Sequence, residues 1–235
     1  MAVYVISDIH GEYEKFNQLL KTIKLKETDT LYILGDVLDR GLYPIKTILQ
    51  LMEMSNVICI LGNHELMAME CLEIMQKDKI NIQLEKIDRK AIENIITWKY
   101  NGADTTIAEF CRLDSETQKR VINYIKNMHK YVNVKVGNRK YLLVHAGLGN
   151  YSRNKELGDY SIKELAWMRN DYSEKYFDKA FTITGHTPTQ EIKENDKPGY
   201  IYRKNNHIAI DCGTCYSAGR LAAICLDNET ECYSN

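Results

Sequence analysis

Five short motifs in this sequence combine side chains that could do metal chemistry, and each closes an apolar run. Asp8-Ile9-His10 follows VYVIS, and Gly35-Asp36-Val37-Leu38-Asp39-Arg40 follows LYIL. Gly62-Asn63-His64-Glu65 follows VICIL, His145 follows KYLLV, and Gly185-His186 follows AFTIT. The chain has 6 histidines, and His10, His64, His145 and His186 all stand in these motifs. Hydrophobic packing does not account for that placement; a metal centre assembled at one edge of a sheet does. The inventory Asp8, His10, Asp36, Asn63, His145 and His186 combines carboxylate, imidazole and amide oxygen and contains no thiolate. Such a set suits manganese first, with iron, zinc, cobalt or nickel as other occupants, and not a structural zinc, which usually takes cysteines. Six side chains exceed what one ion needs once water is counted. Two divalent ions about 3.5–4 Å apart, sharing one carboxylate, fit the count. Asp36, short and held in a Gly-Asp turn, is the natural bridge.

These motifs need a scaffold that brings five chain segments together. The apolar runs read as short buried strands. Strands are expected at 2–7, 30–34 and 56–61. Between them, 12–24 places Phe16, Leu19, Leu20 and Ile23 on one helical face, and 45–54 reads as a second helix. This alternation predicts an α/β fold with helices packed on a sheet. Residues 65–131 are charged, carry no proline and a single glycine, and keep helical apolar spacing. They read as a helical insertion over one end of the sheet, interrupted by turn chemistry at Lys99-Tyr100-Asn101-Gly102. Within it, 76–88 is polar enough to be mobile. Residues 132–136 and 140–144 read as a hairpin around Gly137-Asn138. A helix is expected at 159–171 and further strands at 180–184, 200–202, 207–210 and 221–226. Without an internal repeat or flexible linker, 1–235 reads as one domain with an insertion at about 65–131.

Composition narrows the function classes. With 44% hydrophobic and 27% charged residues the chain is of ordinary globular make-up, and its net charge of −1 provides no global field for nucleic acid or an anionic membrane. No stretch approaches the roughly 18 apolar residues of a membrane span. The N-terminus enters a strand without the pattern of a signal peptide, so the cytoplasm is the expected compartment. Seven scattered cysteines do not form a disulfide framework. Cys212-Gly213-Thr214-Cys215 matches a C-x-x-C pattern, open to a redox or zinc role or to reduced thiols in a tight turn.

The ordered series Asp8-x-His10, Gly35-Asp36-x-x-Asp39-Arg40, Gly62-Asn63-His64-Glu65, His145-Ala146-Gly147 and Gly185-His186 resembles the phosphoprotein phosphatase family of calcineurin-like metallophosphoesterases. Asp39-Arg40 and His64-Glu65 resemble the branch holding bacterial serine/threonine phosphatases and diadenosine tetraphosphatases, and His-Ala-Gly is similar to the bacterial members. The resemblance implies a four-layer α/β/β/α sandwich. It implies that Asp8, His10 and Asp36 hold one metal, that Asp36, Asn63, His145 and His186 hold the second, and that a hydroxide between the metals attacks phosphorus directly. His64 would protonate the leaving oxygen, with Asp39 holding its ring. Arg40, Arg169 (within Trp167-Met168-Arg169) and Asn63 would contact the substrate phosphate. Trp98, Asn101 and Gly102 resemble a bacterial Trp-x-x-Asn-Gly element beside the cleft, although Trp98 could equally be a core anchor of the insertion. Asp211-Cys212-Gly213 resembles a late segment near the active site. His129 and His207 fit no motif.

The leading expectation is therefore a phosphatase of phosphoserine and phosphothreonine proteins. Its alternative is a bis(5'-nucleosyl)-tetraphosphatase working with the same centre. The compact chain favours the first, because no extra C-terminal region is seen for a second nucleotide. A non-enzymatic scaffold of the same fold would be expected to have lost Asp36, His64 or a ligand histidine, and all are present. A cyclic-nucleotide phosphodiesterase fits Asp39-Arg40 less well than a clamp for a phosphate dianion does.

Overall fold

The computed structural model describes residues 1–78 and 89–234. The expectation of mobility for 76–88 falls chiefly on residues outside that description. In chain order the first elements are β1 (Val3–Ile6), α1 (Tyr13–Ile23), β2 (Thr30–Ile33), α2 (Pro44–Glu53), β3 (Val57–Cys59) and α3 (Asn63–Asp78). Then come α4 (Arg89–Tyr100), α5 (Asp104–Cys111), α6 (Ser115–Lys126), β4 (Tyr131–Val136), β5 (Arg139–Val144) and α7 (Ile162–Ala166). The chain closes with β6 (Ala180–Thr184), β7 (Tyr202–Lys204), β8 (His207–Ala209), β9 (Leu221–Cys225) and β10 (Glu231–Ser234).

Two sheets result, ordered β10-β9-β1-β2-β3 and β4-β5-β6-β8-β7. β1, β2 and β3 run parallel in the first, and β5, β6 and β8 run parallel in the second. Period-two alternation sorts the side chains into layers. Val5, Leu34 and Ile60 meet Tyr141, Leu143, Ile183 and Ile208 in the space between the sheets. Ile6, Leu31 and Ile33 turn the other way, onto Phe16 and Leu19 of α1 and Ile45 and Ile48 of α2. Leu142 and Val144 face outward against Leu148, Tyr160 and Leu165. Each such side chain, buried fully, contributes about 1.5–3 kcal/mol, so this alternation drives the two sheets face to face with helical cover outside. The α/β sandwich expected from the resemblance is the fold observed.

Three elements differ from the sequence reading. The helix expected at 159–171 shrinks to α7, opened by a capping box between Ser161 and Glu164. It stops because Trp167 leaves helical geometry at φ −133°, and its carbonyl oxygen lies 3.0 Å from His186 Nε2 instead of serving another turn. The strand expected at 200–202 begins at Tyr202 instead. β10 was not foreseen, since Glu231-Cys232-Tyr233-Ser234 is short and partly polar; its place at a sheet edge, paired among the described residues with β9 alone, tolerates that composition. Among the described residues no helix is long and apolar enough to cross a membrane.

Candidate active site

The five motifs converge because the strands preceding them end at one edge of the sandwich. Asp8 and His10 follow β1, Asp36 follows β2, Asn63 opens α3 after β3, His145 follows β5 and His186 follows β6. Side chains at the carboxyl ends of parallel strands are well placed to share a site. Backbone bonds tie the loops together: Asp8 N donates to Gly35 O (3.1 Å), His10 N to Asp36 O (2.8 Å) and Gly185 N to His145 O (2.8 Å). Gly62 is required by close approach, since a Cβ there would collide with the carboxylate and backbone of Asp36. Asp8, His10, Asp36, Asp39, Arg40 and His186 have φ values between 47° and 70°. A left-handed backbone costs a non-glycine residue about 1–3 kcal/mol, so the fold stabilises a cluster of strained residues where the polar side chains meet.

The donor atoms of His10, Asp36 and His64 lie within 4.8 Å of one another, as do those of Asp36, His145 and His186. Asp36 belongs to both sets. Its Oδ2 is 3.4 Å from His145 Nε2, 3.8 Å from His10 Nε2 and 3.9 Å from His64 Nε2. Asn63 Oδ1 joins the second set, 3.0 Å from His145 Nε2 and 2.9 Å from His186 Nδ1. The outer nitrogens are anchored: His10 Nδ1 contacts Leu38 O at 2.9 Å and His145 Nδ1 contacts Leu34 O. Metal-ligating histidines are typically oriented in this way. Asp8 reaches the same edge, but its oxygens accept from His186 N at 3.1 Å and from Ser7 Oγ.

Electrostatics tests whether this donor set fits cations. Burial, followed by the neighbouring Asp211, raises the Asp8 pKa well above the carboxylate range. Burial also pushes Asp211 up to about 6. Burial opposes charge on Asp36 as well, but His145, His64 and His10 outweigh it and hold that carboxyl well below its usual range. On His145 burial likewise disfavours the proton, yet Asp36 overcomes it and raises the pKa to about 10. Burial, then the neighbouring His64, lowers His10; burial, then His145, lowers His186 to about 4. Buried carboxylates crowd one another, and burial favours the neutral ring of His10 and of His186 beside them. Two divalent cations fit this arrangement.

Two supports hold these groups, and the first, Glu65, had no role assigned from sequence. Glu65 sits inside a recognised motif, and its Oε2 accepts from Asp36 N (2.7 Å) and Gly62 N (3.0 Å). Its Oε1 accepts from Val37 N (2.9 Å) and Leu38 N (3.1 Å). Glu65→Gln turns an NH2 toward one pair of these buried donors. A loss of about 3–5 kcal/mol in urea unfolding is expected; a loss below about 1 kcal/mol would contradict it. The second support surrounds Asp39, whose Oδ2 lies 2.6 Å from His64 Nδ1 and accepts from Trp98 Nε1 at 2.8 Å. Trp98 is thus both a buried core residue and a partner of Asp39. On His64 burial disfavours protonation, but Asp36 and Asp39 outweigh it and the pKa is raised. Arg40 Nη2 meets the other ring nitrogen, Nε2, at 3.1 Å, a contact that suits the neutral ring. Proximity to two carboxylates and to one guanidinium thus pull His64 in opposite directions.

A polar cleft of about 280 Å³ opens over the donor sets, lined by His10, Asp36, Arg40, Asn63, Asn101, Trp167, Arg169, His186, Glu191 and Tyr216. Arg169 pairs with Glu191 at 2.7 Å, and Tyr216 OH donates to the other oxygen of Glu191 at 2.6 Å. Nothing in the sequence pointed to Glu191 or Tyr216. Larger grooves of about 410 and 530 Å³ near Lys140 and Phe177 contain neither metal-donor set. Cys212 and Cys215 are free thiols, and burial pushes Cys215 up to about 12, so neither is poised as a thiolate. His207 is buried against Tyr172 and Tyr176 with Nε2 on Glu174 O. The backbone of His129 bonds to Cys59 and Leu61.

Two sheets facing each other, with buried aspartate, histidine and asparagine at their shared edge, define a metallophosphoesterase. The chain belongs to the Calcineurin-like phosphoesterase family, whose model matches residues 1–212. The family uses a dinuclear divalent metal site. A relative from Nitrosospira multiformis, named as a symmetrical bis(5'-nucleosyl)-tetraphosphatase, is 24% identical over 279 residues, spanning 99% of this chain and 96% of the relative. Another of the same name, from Nitrosococcus oceani, aligns over only 36% of its own length. A crystal structure described as a proposed diadenosine tetraphosphatase shares the fold, with TM-score 0.63 and 17% identity over 99% of this chain and 92% of that one. A serine/threonine phosphatase from Saccharomyces cerevisiae shares it with TM-score 0.53 and 14% identity over 95% of this chain and 72% of that one.

Proposed function

We propose that this phosphoesterase hydrolyses the phosphate chain of a dinucleoside polyphosphate. One observation carries the choice: Trp167 and Tyr216, 40% and 39% exposed, line the same cleft as Arg40 and Arg169. Base–aromatic stacking is worth about 1–3 kcal/mol per base, and arginine suits bidentate grip on phosphate. A small phosphoserine needs no such ring faces. The name borne by the Nitrosospira relative, matched over nearly all its length, supports the same class. Together these favour a dinucleotide over a phosphoprotein.

In this reading Asp8, His10 and Asp36 would hold one divalent ion, and Asp36, Asn63, His145 and His186 would hold the other. When bound, the pair would supply Lewis acidity toward the phosphoryl oxygens and a lowered pKa for water. Arg40 turns from His64 to the phosphate, and Asn63 lies beside it. Release of Arg40 leaves His64 Nε2 free to carry a proton to the leaving oxygen, while Asp39 holds Nδ1. Arg169, drawn from Glu191, grips phosphate from the other wall. Arg40→Ala should raise KM about tenfold and lower kcat as well; wild-type steady-state kinetics would refute the clamp.

The test strips the protein of metal, restores Mn²⁺, and compares diadenosine tetraphosphate with a phosphoserine/phosphothreonine peptide. Faster dinucleotide turnover supports the proposal, and faster peptide turnover overturns it. The second reading, a serine/threonine protein phosphatase, is favoured by the fully buried His64–Asp39 pair, because an alkoxide leaving group needs an acid more than a nucleotide phosphate does.

A further inference from the structure

The segment α4–α5 grips residues 39–40 at three points spaced four residues apart. Trp98 Nε1 donates to Asp39 Oδ2 at 2.8 Å. Gly102 O accepts from Arg40 N at 2.8 Å. Thr106 Oγ1 donates to Asp39 Oδ1 at 2.6 Å and accepts from Asp39 N at 3.0 Å. Asp39 and Arg40 both have left-handed backbones, with φ 70° and 67°, so the loop that carries them needs holding from outside. Trp98, Thr106 and Asp39 are all 0% exposed. With Thr106 on one oxygen and Trp98 on the other, the carboxylate plane is fixed, and so is the direction in which Oδ2 meets His64 Nδ1 at 2.6 Å.

We infer that Trp98 and Thr106 are positioning residues for the leaving-group acid: they fix Asp39, which aims His64, and so α4–α5 sets the aim of proton delivery. This rests on the reading that His64 protonates the leaving oxygen, and it is independent of which natural substrate is cleaved. Losing the indole N–H leaves Oδ2 with His64 alone, and the pair can swing together. Losing the Thr106 hydroxyl frees Oδ1 and leaves Asp39 N without its acceptor. In either case the phosphate contacts of Arg40 and the metal donors keep their own partners. The cost therefore falls on substrates that depend on acid catalysis.

The test uses the Mn²⁺-loaded full chain and two aryl esters: phenyl phosphate, with a poor leaving group, and p-nitrophenyl phosphate, with a better one. Trp98→Phe and Thr106→Val should lower kcat on phenyl phosphate about tenfold and on p-nitrophenyl phosphate less than about twofold. KM and bound manganese should stay unchanged, and Thr106→Ser should keep the wild-type ratio. His64→Asn provides the reference and should show the largest loss on phenyl phosphate. A ratio shifted in His64→Asn but unchanged in both Trp98→Phe and Thr106→Val overturns the positioning role while leaving the acid role intact. An unchanged ratio in His64→Asn overturns both. If Thr106→Val does not fold, Trp98→Phe, which retains an aromatic ring in the core, decides the matter: equal losses on both esters count against the inference.

Discussion

Asp36→Asn should leave the protein with less than one metal ion per chain by elemental analysis and reduce hydrolysis accordingly. Asp36 is the one carboxylate common to both donor sets, and its Oδ2 faces His145, His10 and His64. Loss of a partner around a metal ligand typically costs 10–100-fold in affinity, so loss of a shared ligand should cost at least about 100-fold at each position. The variant is nearly isosteric, and His64 N can still donate to the remaining side-chain oxygen, so misfolding is not the expected cause. Full occupancy would contradict a bridging role. The metal-stripped proteins provide a second readout. Asp36, held well below its ordinary 3.8, stabilises the fold above that pH and loses the contribution as pH falls. His145, raised from 6.5 to about 10, contributes fully below 6.5 and loses its part as pH rises through 10. Wild type should therefore exceed Asp36→Asn in Tm most clearly between about pH 4 and 6.5, with the gap closing toward pH 10.

What the sequence made legible follows from what kind of signal each residue left. The convergence of these polar residues was readable because each closes an apolar run, and a polar residue at the end of a buried strand has no bland explanation once five recur. The strand–helix alternation was readable for the same periodic reason. The pairing of the two sheets was not, because Leu142 and Leu143 look alike in sequence although one faces outward and the other inward. β10 escaped because an edge strand needs little apolar content, and α7 was overextended because a tertiary partner, His186, takes the Trp167 carbonyl that would have carried the next turn. The supporting residues leave no local mark. Thr106 is an ordinary helix residue until folding sets it against Asp39, 67 positions away in sequence. Glu191, at the end of a short 3-10 turn, and Tyr216, in a loop, enter the cleft from segments whose composition is unremarkable. The left-handed backbones of Asp8, His10 and Asp36 leave only a weak mark, since Asp and His are enriched at positive φ yet adopt it far less often than glycine.

His64→Asn should lower kcat by roughly 10²–10⁴-fold while both metal ions remain bound. The geometry leaves a rival reading open, because His64 Nε2 stands in a donor set with His10 and Asp36, 3.9 Å from the shared carboxylate. Its partners favour the acid role over a ligand role. Nδ1 is committed to Asp39 at 2.6 Å, and Nε2 faces the Arg40 guanidinium at 3.1 Å, a neighbour that repels a cation and attracts a phosphate. His145, by contrast, turns Nε2 toward Asn63 and Asp36 and anchors Nδ1 on a backbone carbonyl, the usual disposition of a metal-bound imidazole. Elemental analysis separates the two readings directly. Two manganese ions per chain with slow turnover makes His64 the proton donor. Loss of one ion would move it into the first metal's ligand set beside His10, leave Asp8 to its contacts with Ser7 and the His186 backbone, and require another group to protonate the leaving oxygen.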